Sequence, residues 1–390
     1  MKIAGVICEY NPFHSGHAYH LAETRAQTGC DYIVVCMAGS YVQRGTAACL
    51  SKWTRAEMAL RSGADAVLEL PALYALRTAD VFARGGVHIL NGVGADVLSF
   101  GSETAELELL ERIATLRERE PESVSSAIQR GLAEGKSHAR AQGEAIAEAL
   151  GVKPALLERP NLILATEYLR AIRALNASIQ PFAVERVGDY HAETAGSGYA
   201  SATAIRKLLQ QGRIDEARTQ LPESARPLMS EWRGMHAPDD LLLHALRGMS
   251  EAEIARLSDV PEGLENRVKR AATAAFDVES LIAGVKCKRY TRARLNRLCA
   301  HAMLGLTREL ANRHPRPKYA RLIGMREDAR PLLRELKKRA QLPIVSDSAQ
   351  LAGSEIFQLE CRATDLRALQ CDAPEQRAAG QERTQKFVRV

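Results

Sequence analysis

The stretch "KIAGVICEYNPFHSGHAYHL", Lys2 to Leu21, decides the reading of the chain. Its first half is an apolar run of strand length, and its second half spaces apolar residues as a helix does. Between them stand Pro12, which stiffens a turn, and Gly16, which lets the backbone approach a ligand unobstructed. A helix beginning near Ser15 brings free N–H groups and its positive dipole end to the point where the strand stops, and such a terminus binds phosphate. His14 and His17 at that mouth can donate to phosphate oxygens and stabilise charge developing on a leaving pyrophosphate. The competing account makes them a cap and a surface side chain. Their place at the first strand-to-helix turn of an α/β unit, where such folds bind ligands, favours the nucleotide. His20 lies inside the helix, where packing explains it at least as well.

Outward from that stretch, residues 2–100 alternate strand-like runs ("KIAGVI", "DYIVVCM", "ADAVLEL", "ADVLSF") with helical ones ("GHAYHLAETRAQ", "KWTRAEMALRSG", "ADVFARGGVHILNG"). That rhythm predicts a Rossmann-like parallel sheet covered by helices. Residues 103–151 are alternately charged and Ala-rich, a helical insertion without evident chemistry. "RPNLILATEYLRAIRAL" predicts a helix, "IQPFAVERV" a strand, and "YASATAIRKLLQQG" a loop entering a helix, which closes a catalytic domain over 1–212. A helical connector (213–258), a mainly α-helical basic domain (259–371) and a loose polar tail (372–390) are expected to follow.

The length of 390 residues fits two domains, and 46% apolar with 26% charged residues excludes global disorder. No run approaches membrane-spanning length and no signal peptide is recognisable, so a cytoplasmic protein is expected. The eight cysteines show no C-x-x-C pair or metal-ligand spacing and read as reduced structural thiols. Nor is a Ser/His/Asp or Cys/His set recognisable. The net charge is only +6, but its distribution is uneven. Between Glu279 and Glu309 there is no acid, while Lys286, Lys288, Arg289, Arg292, Arg294, Arg297 and Arg308 crowd in, and "RHPRPKYAR" follows at once. Such a run, read as one helix, asks for a polyanion; the bland alternative is a solvated helix face.

"GVICEYNPFHSGHAYHL", "GSYVQRGTAACLSKWTRAEMAL", "GADAVLELP", "FGSE", "RPNLILATEYLRA" and "YASATAIR" resemble, in order and spacing, the bacterial tRNA(Met) cytidine acetate ligases of the nucleotidyltransferase-like superfamily. "EGLENRVKRA" and "KCKRYTRARLNRL" extend the resemblance to about Gln370. It implies a nucleotidyltransferase sheet of the HUP type and an enzyme that uses ATP to turn acetate into acetyl-adenylate. The acetyl group would then pass to the wobble cytidine of elongator tRNA(Met), giving N4-acetylcytidine. Carried over residue by residue, Ile7, Cys8, Glu9, Tyr10, Asn11, Pro12, Phe13, His14, Ser15, Gly16, His17, Ala18, Tyr19 and His20 would line the ATP site, with Gly101, Asn161 and Arg186 as further contacts. On residue type alone these last three are better read as a turn glycine, a helix cap and a surface arginine, so their assignment leans on the resemblance.

Ser201, Thr203 and Arg206 match a helix start that closes over the triphosphate in the wider superfamily, although capping alone would explain the first two. Ser15 and Ser40 stand where the family often has Asn, and Leu162 where a polar residue is frequent. The basic run would position tRNA through its phosphates without reading its bases. Whether magnesium accompanies the ATP is left open by the sequence. A small-molecule adenylyltransferase using the same pocket, and a tRNA-binding protein that no longer catalyses, are the alternatives.

Overall fold

Strands β1 (Ile3–Cys8) and β2 (Tyr32–Ala38) pair in parallel from Ile3 opposite Tyr32 to Cys8 opposite Met37. The structure, a computed structural model, describes residues 1–186, 199–287 and 289–390. β3 (Ala66–Leu70), β4 (Val97–Ser102) and β5 (Gln180–Glu185) extend the parallel set, so all five expected strands form. Both faces of the sheet are covered, which is why these strands read as continuous apolar runs rather than alternating ones. Ile3, Ile7, Val34 and Cys36 face one core, and Ala4, Val6, Ile33 and Val35 the other.

Helix α1 (Ser15–Thr28) returns the chain over the second core. The helix Ala79–Gly92 returns it over the first, where Gly86 lies so close to Ile7 that an added Cβ would sit 2.7 Å from its side chain. The order β5-β4-β1-β2-β3 therefore reverses at β1, and a crevice opens above the carboxyl ends of β1 and β4. The insertion folds as three helices, Leu107–Glu118, Glu122–Ala133 and His138–Leu150.

The second half departs from expectation. Helices Asp239–Gly248, Leu264–Ala274, Val278–Val285 and Arg292–Leu304 share one apolar core, so the helical unit begins before residue 259. The chain then re-enters the sheet: β6 (Ala320–Met325) adds antiparallel to β3, β7 (Ile344–Val345) follows β6, and β8 (Val388–Arg389) also pairs with β6. The sheet has eight strands among the described residues. The tail expected to be loose is pinned by this last pairing and by Glu382, which is 2% exposed. Residues 223–231 of the expected connector send Ala225 and Met229 into the second core. No helix among the described residues is long and apolar enough to cross a membrane.

Candidate active site

A cleft of about 430 Å³ occupies the crevice above β1 and β4. Its wall is built from the turn after β1, where His14 caps α1. The Nδ1 of His14 accepts from the N–H of Gly16 at 3.1 Å, and the Nδ1 of His17 accepts from the N–H of His14 at 3.2 Å. An imidazole whose Nδ1 accepts carries its proton on Nε2, so both rings are fixed as Nε2–H donors in the cleft they line. They stack with centroids 3.7 Å apart. Burial, with Arg186 and Arg206 adding to it, pushes the His14 imidazolium down to about 3. Burial and the adjacent His14 hold His17 well below the usual histidine range. Both rings are thus neutral donors at physiological pH.

The backbone part of the expectation is different. Ser15 N donates to Gln220 O at 3.0 Å, Gly16 N to His14, and His17 N to His14 O at 2.8 Å, so the first N–H groups of α1 are already engaged. Of the two kinds of donor read from the sequence at this turn, the side-chain Nε2–H groups are the ones left facing the cleft. A second helix start faces the same cleft: Ser201 caps the helix Ala202–Gln210 by accepting from Ala204 N at 3.1 Å. Arg206 on that helix joins the two starts, donating to Asn11 O at 2.5 Å and to Thr203 Oγ1 at 3.1 Å.

Of the fourteen residues from Ile7 to His20, Pro12, Phe13, Ser15 and Ala18 are not on the cleft wall; Phe13 is fully buried and Ser15 Oγ donates to Gln220 O at 2.9 Å. The others line it, together with Gly101, Asn161, Arg186, Ser201, Thr203 and Arg206. His20 does both jobs considered for it, lining the cleft while its Nε2 lies 3.0 Å from Ser99 Oγ. Asn161 does not cap its helix: Glu103 does, accepting from Leu162 N at 2.7 Å and from Asn161 Nδ2 at 2.8 Å.

Residues 1–382 match the HIGH Nucleotidyl Transferase family. A tRNA(Met) cytidine acetate ligase of Acetivibrio thermocellus is 35% identical over 414 residues, covering all of both chains. The chain belongs to the tRNA(Met) cytidine acetate ligase family of HIGH nucleotidyl transferases. The ligase-family protein of Caldanaerobacter subterraneus subsp. tengcongensis is 35% identical over 384 residues, 95% of each chain. The apo crystal structure of Thermotoga maritima TmcAL superposes with a TM-score of 0.91 at 30% identity over the full length of both chains. The same protein bound with alpha-thio ATP gives 0.89 at 29% identity, over 100% of this chain and 99% of that one.

In this ligase-family chain the motif "GSYVQRGT" has a part that sequence reasoning did not assign. It forms a small hairpin, Tyr41 bridging to Ala47, that places Gln43 and Arg44 on the cleft wall. Gln43 N donates to Glu9 Oε1 at 2.7 Å, and Asn11 Oδ1 accepts from Cys49 N at 2.8 Å. Gly45, at φ +82°, lies against the helix Arg292–Leu304, where an added Cβ would come within 2.3 Å of Arg297 N. Beneath the hairpin Arg55 is wholly buried and donates to Glu9 O at 2.6 Å and Ala38 O at 3.1 Å, tying together the ends of β1 and β2. Its place in "KWTRAEMAL" was the available signal.

The basic run is not one helix. The helix Val278–Val285 stops, and Thr291 caps a new one. Lys286, Arg289 and Arg292 are exposed, and Arg292 forms an ion pair with Glu279, its Nη1 2.7 Å from Oε2. Arg294 donates to Asp259 O at 3.1 Å, and Arg297 is 8% exposed and donates to Gln43 O at 3.4 Å. Arg297 thus supports the cleft hairpin from inside and is not part of an exposed RNA face. Lys288 lies outside the described residues.

The lowered histidines carry a pH consequence. In the unfolded chain each would bind its proton near 6.5, but in the cleft His14 does so at about 3 and His20 at about 4. Between those limits the unfolded state holds more protons, so stability rises with pH and is lost on acidification. Turnover limited by neutral Nε2–H donors should show no break near 6.5; a rate profile over about pH 5.5 to 8 checks this, and an apparent histidine pKa there would refute neutral donors.

Proposed function

We propose that the protein is an ATP-dependent tRNA(Met) cytidine acetate ligase. The observation that carries the reading is the pair of stacked histidines locked as Nε2–H donors at the switch point of a nucleotidyltransferase sheet. In this reading ATP lies with its triphosphate against the starts of α1 and the helix Ala202–Gln210. His14 and His17 donate to phosphate oxygens as negative charge builds on the departing pyrophosphate, while Arg186 and Arg206 supply positive charge. Acetate attacks the α-phosphorus, and the resulting acetyl-adenylate passes its acetyl group to the exocyclic amine of the wobble cytidine. The protein positions and stabilises charge; no side-chain nucleophile takes part.

Glu9, which burial pushes up and Gln43 N–H and Arg44 pull down, is the half-buried carboxylate of the cleft wall. A magnesium ion would be held chiefly by the phosphates, with Glu9 at hand as an oxygen ligand. Lys286 and Arg289 are exposed members of the basic run available to meet tRNA phosphates, and a reaction on ATP, acetate and tRNA suits a cytoplasmic protein.

Incubation with ATP, labelled acetate and unmodified elongator tRNA(Met), then nuclease digestion and mass spectrometry, tests the reading. The expected result is labelled N4-acetylcytidine that disappears when ATP is withheld. Unmodified cytidine from folded, ATP-binding protein would overturn it and direct attention to adenylyl transfer onto a phosphorylated small molecule.

A further inference from the structure

The group "RHPRPKYAR" is rich in basic residues, and the cleft above β1 uses none of it. Its residues divide in the fold. Arg321 turns inward to Glu69 and Glu382, and Arg313 pairs with Glu309 and Glu355 on the surface, its Nη1 2.7 Å from Glu309 Oε1. Arg316 is exposed and makes no ion pair or hydrogen bond among the described residues. It lies on the wall of a second cleft of about 420 Å³, between the helix Ala79–Gly92, the end of the helix Pro160–Ala174 and the loop after residue 313.

The floor of this cleft is apolar, with Leu73, Val81 and Leu175. Its wall carries Arg77, Arg84 and Arg316, and no carboxylate among the described residues lines it. Arg77 is compensated by Asp259 at 3.2 Å. Arg84, like Arg316, is exposed and unpaired among the described residues. His314 also lines the cleft, but its Nε2 is taken by Glu355 Oε2 at 2.7 Å. Two guanidinium groups are therefore left facing solvent over a concave surface with no counter-charge among the described residues that line it.

We propose that this second cleft binds the phosphodiester backbone of the tRNA. A guanidinium fork matches a phosphate bidentately, and two uncompensated forks on one rim suit successive anionic groups on a polymer. The cleft also shares a helix with the catalytic one. Ala79 and Phe82 line the ATP cleft while Val81 and Arg84 line this one, so a single helix forms a wall of both. Along its axis Ala79 and Arg84 are only about 7.5 Å apart. An RNA strand crossing the start of that helix can hold its backbone in the second cleft while a flipped base enters the first. The inference rests on the ligase reading, which names the RNA, and adds a second phosphate grip to that of Lys286 and Arg289.

The test is the double variant Arg84→Ala, Arg316→Ala, with both residues outside the ATP cleft. Binding of unmodified elongator tRNA(Met) transcript is titrated at several salt concentrations, and acetate-dependent ATP–pyrophosphate exchange is measured without RNA. The expected result is an affinity loss of about tenfold, a salt slope shallower by about 1.5, and exchange at the parent's rate, which also shows the variant folded. A tRNA affinity and salt slope matching the parent's, with exchange intact, would overturn the proposal and leave the cleft to a protein partner. If the parent itself shows no acetate-dependent exchange yet the variant still loses tRNA, the ligase reading falls and the RNA cleft stands.

Discussion

His14→Asn should fold like the parent and yet lose acetate activation. Asparagine is a strong N-cap residue, so its side-chain oxygen can take the Gly16 N–H that His14 Nδ1 now accepts, and the start of α1 survives. What it lacks is a donor placed where the histidine Nε2–H now stands. Loss of one preorganised donor to a developing oxyanion costs about 10²–10³ in rate, and acetate-dependent ATP–pyrophosphate exchange should fall by that factor. His14→Ala should fall as far and also lose about 1 kcal/mol of stability, because the cap goes with the donor. His17→Ala removes the other donor and leaves His14 N unpaired, so exchange should again collapse while tRNA binding stays near the parent's. Thermal melts beside the exchange assay separate the roles. Full exchange in His14→Asn would make the histidine a cap and nothing more.

How far the sequence foretold this site depends on how local each feature is. The five parallel strands could be read because each is a contiguous apolar run buried on both faces. β6 is equally apolar, "ARLIGM", but its partner β3 lies some 250 residues earlier, with a register irregularity between Val67 and Leu68. Nothing within the segment announces that pairing. The histidines were legible as a pattern; that their Nδ1 atoms turn back onto their own backbone follows only from the coordinates. Charge in the second half misled for a spatial reason. Counting acids along the chain found none between Glu279 and Glu309, yet Glu279 itself and the carbonyls of Asp259 and Gln43 reach Arg292, Arg294 and Arg297. Hairpin residues Gln43 and Arg44 join the cleft only because Gly45 lets their loop settle on a helix about 250 residues further on.

Substituting Lys52 should have the largest effect on stability. Its ammonium is fully buried on α2 (Lys52–Arg61), in contact with Glu69 of β3 and Glu382 of the tail, and 3.6 Å from Glu360 Oε2. Arg321 of β6 completes the group, 2.8 Å from Glu69 and 2.5 Å from Glu382. One charged cluster thus joins α2, β3 and the chain's last seventy residues. The three carboxylates lie close enough together to hold a metal ion, and Lys52 supplies the cation they share. Lys52→Met would leave Glu69 and Glu382 facing each other in a dry interior with Arg321 alone between them. Removing one partner of such a buried set costs about 3–5 kcal/mol, and urea unfolding should register a loss of that size. Glu360 behaves oppositely. With two cations against three carboxylates, charge balance leaves it protonated, and burial together with Glu69 pushes it up to about 8, while Lys52 and Arg321 outweigh burial and hold Glu69 at about 2. Its raised value means that stability is full below 4.5 and is lost as pH climbs through about 8, because the unfolded chain has already released the proton. Glu360→Gln keeps an acceptor for Ala72 N and removes the titration. Its urea midpoint should match the parent's at acid pH and exceed it at about pH 9; a parallel decline in both proteins would mean that Glu360 is ionised in the folded state.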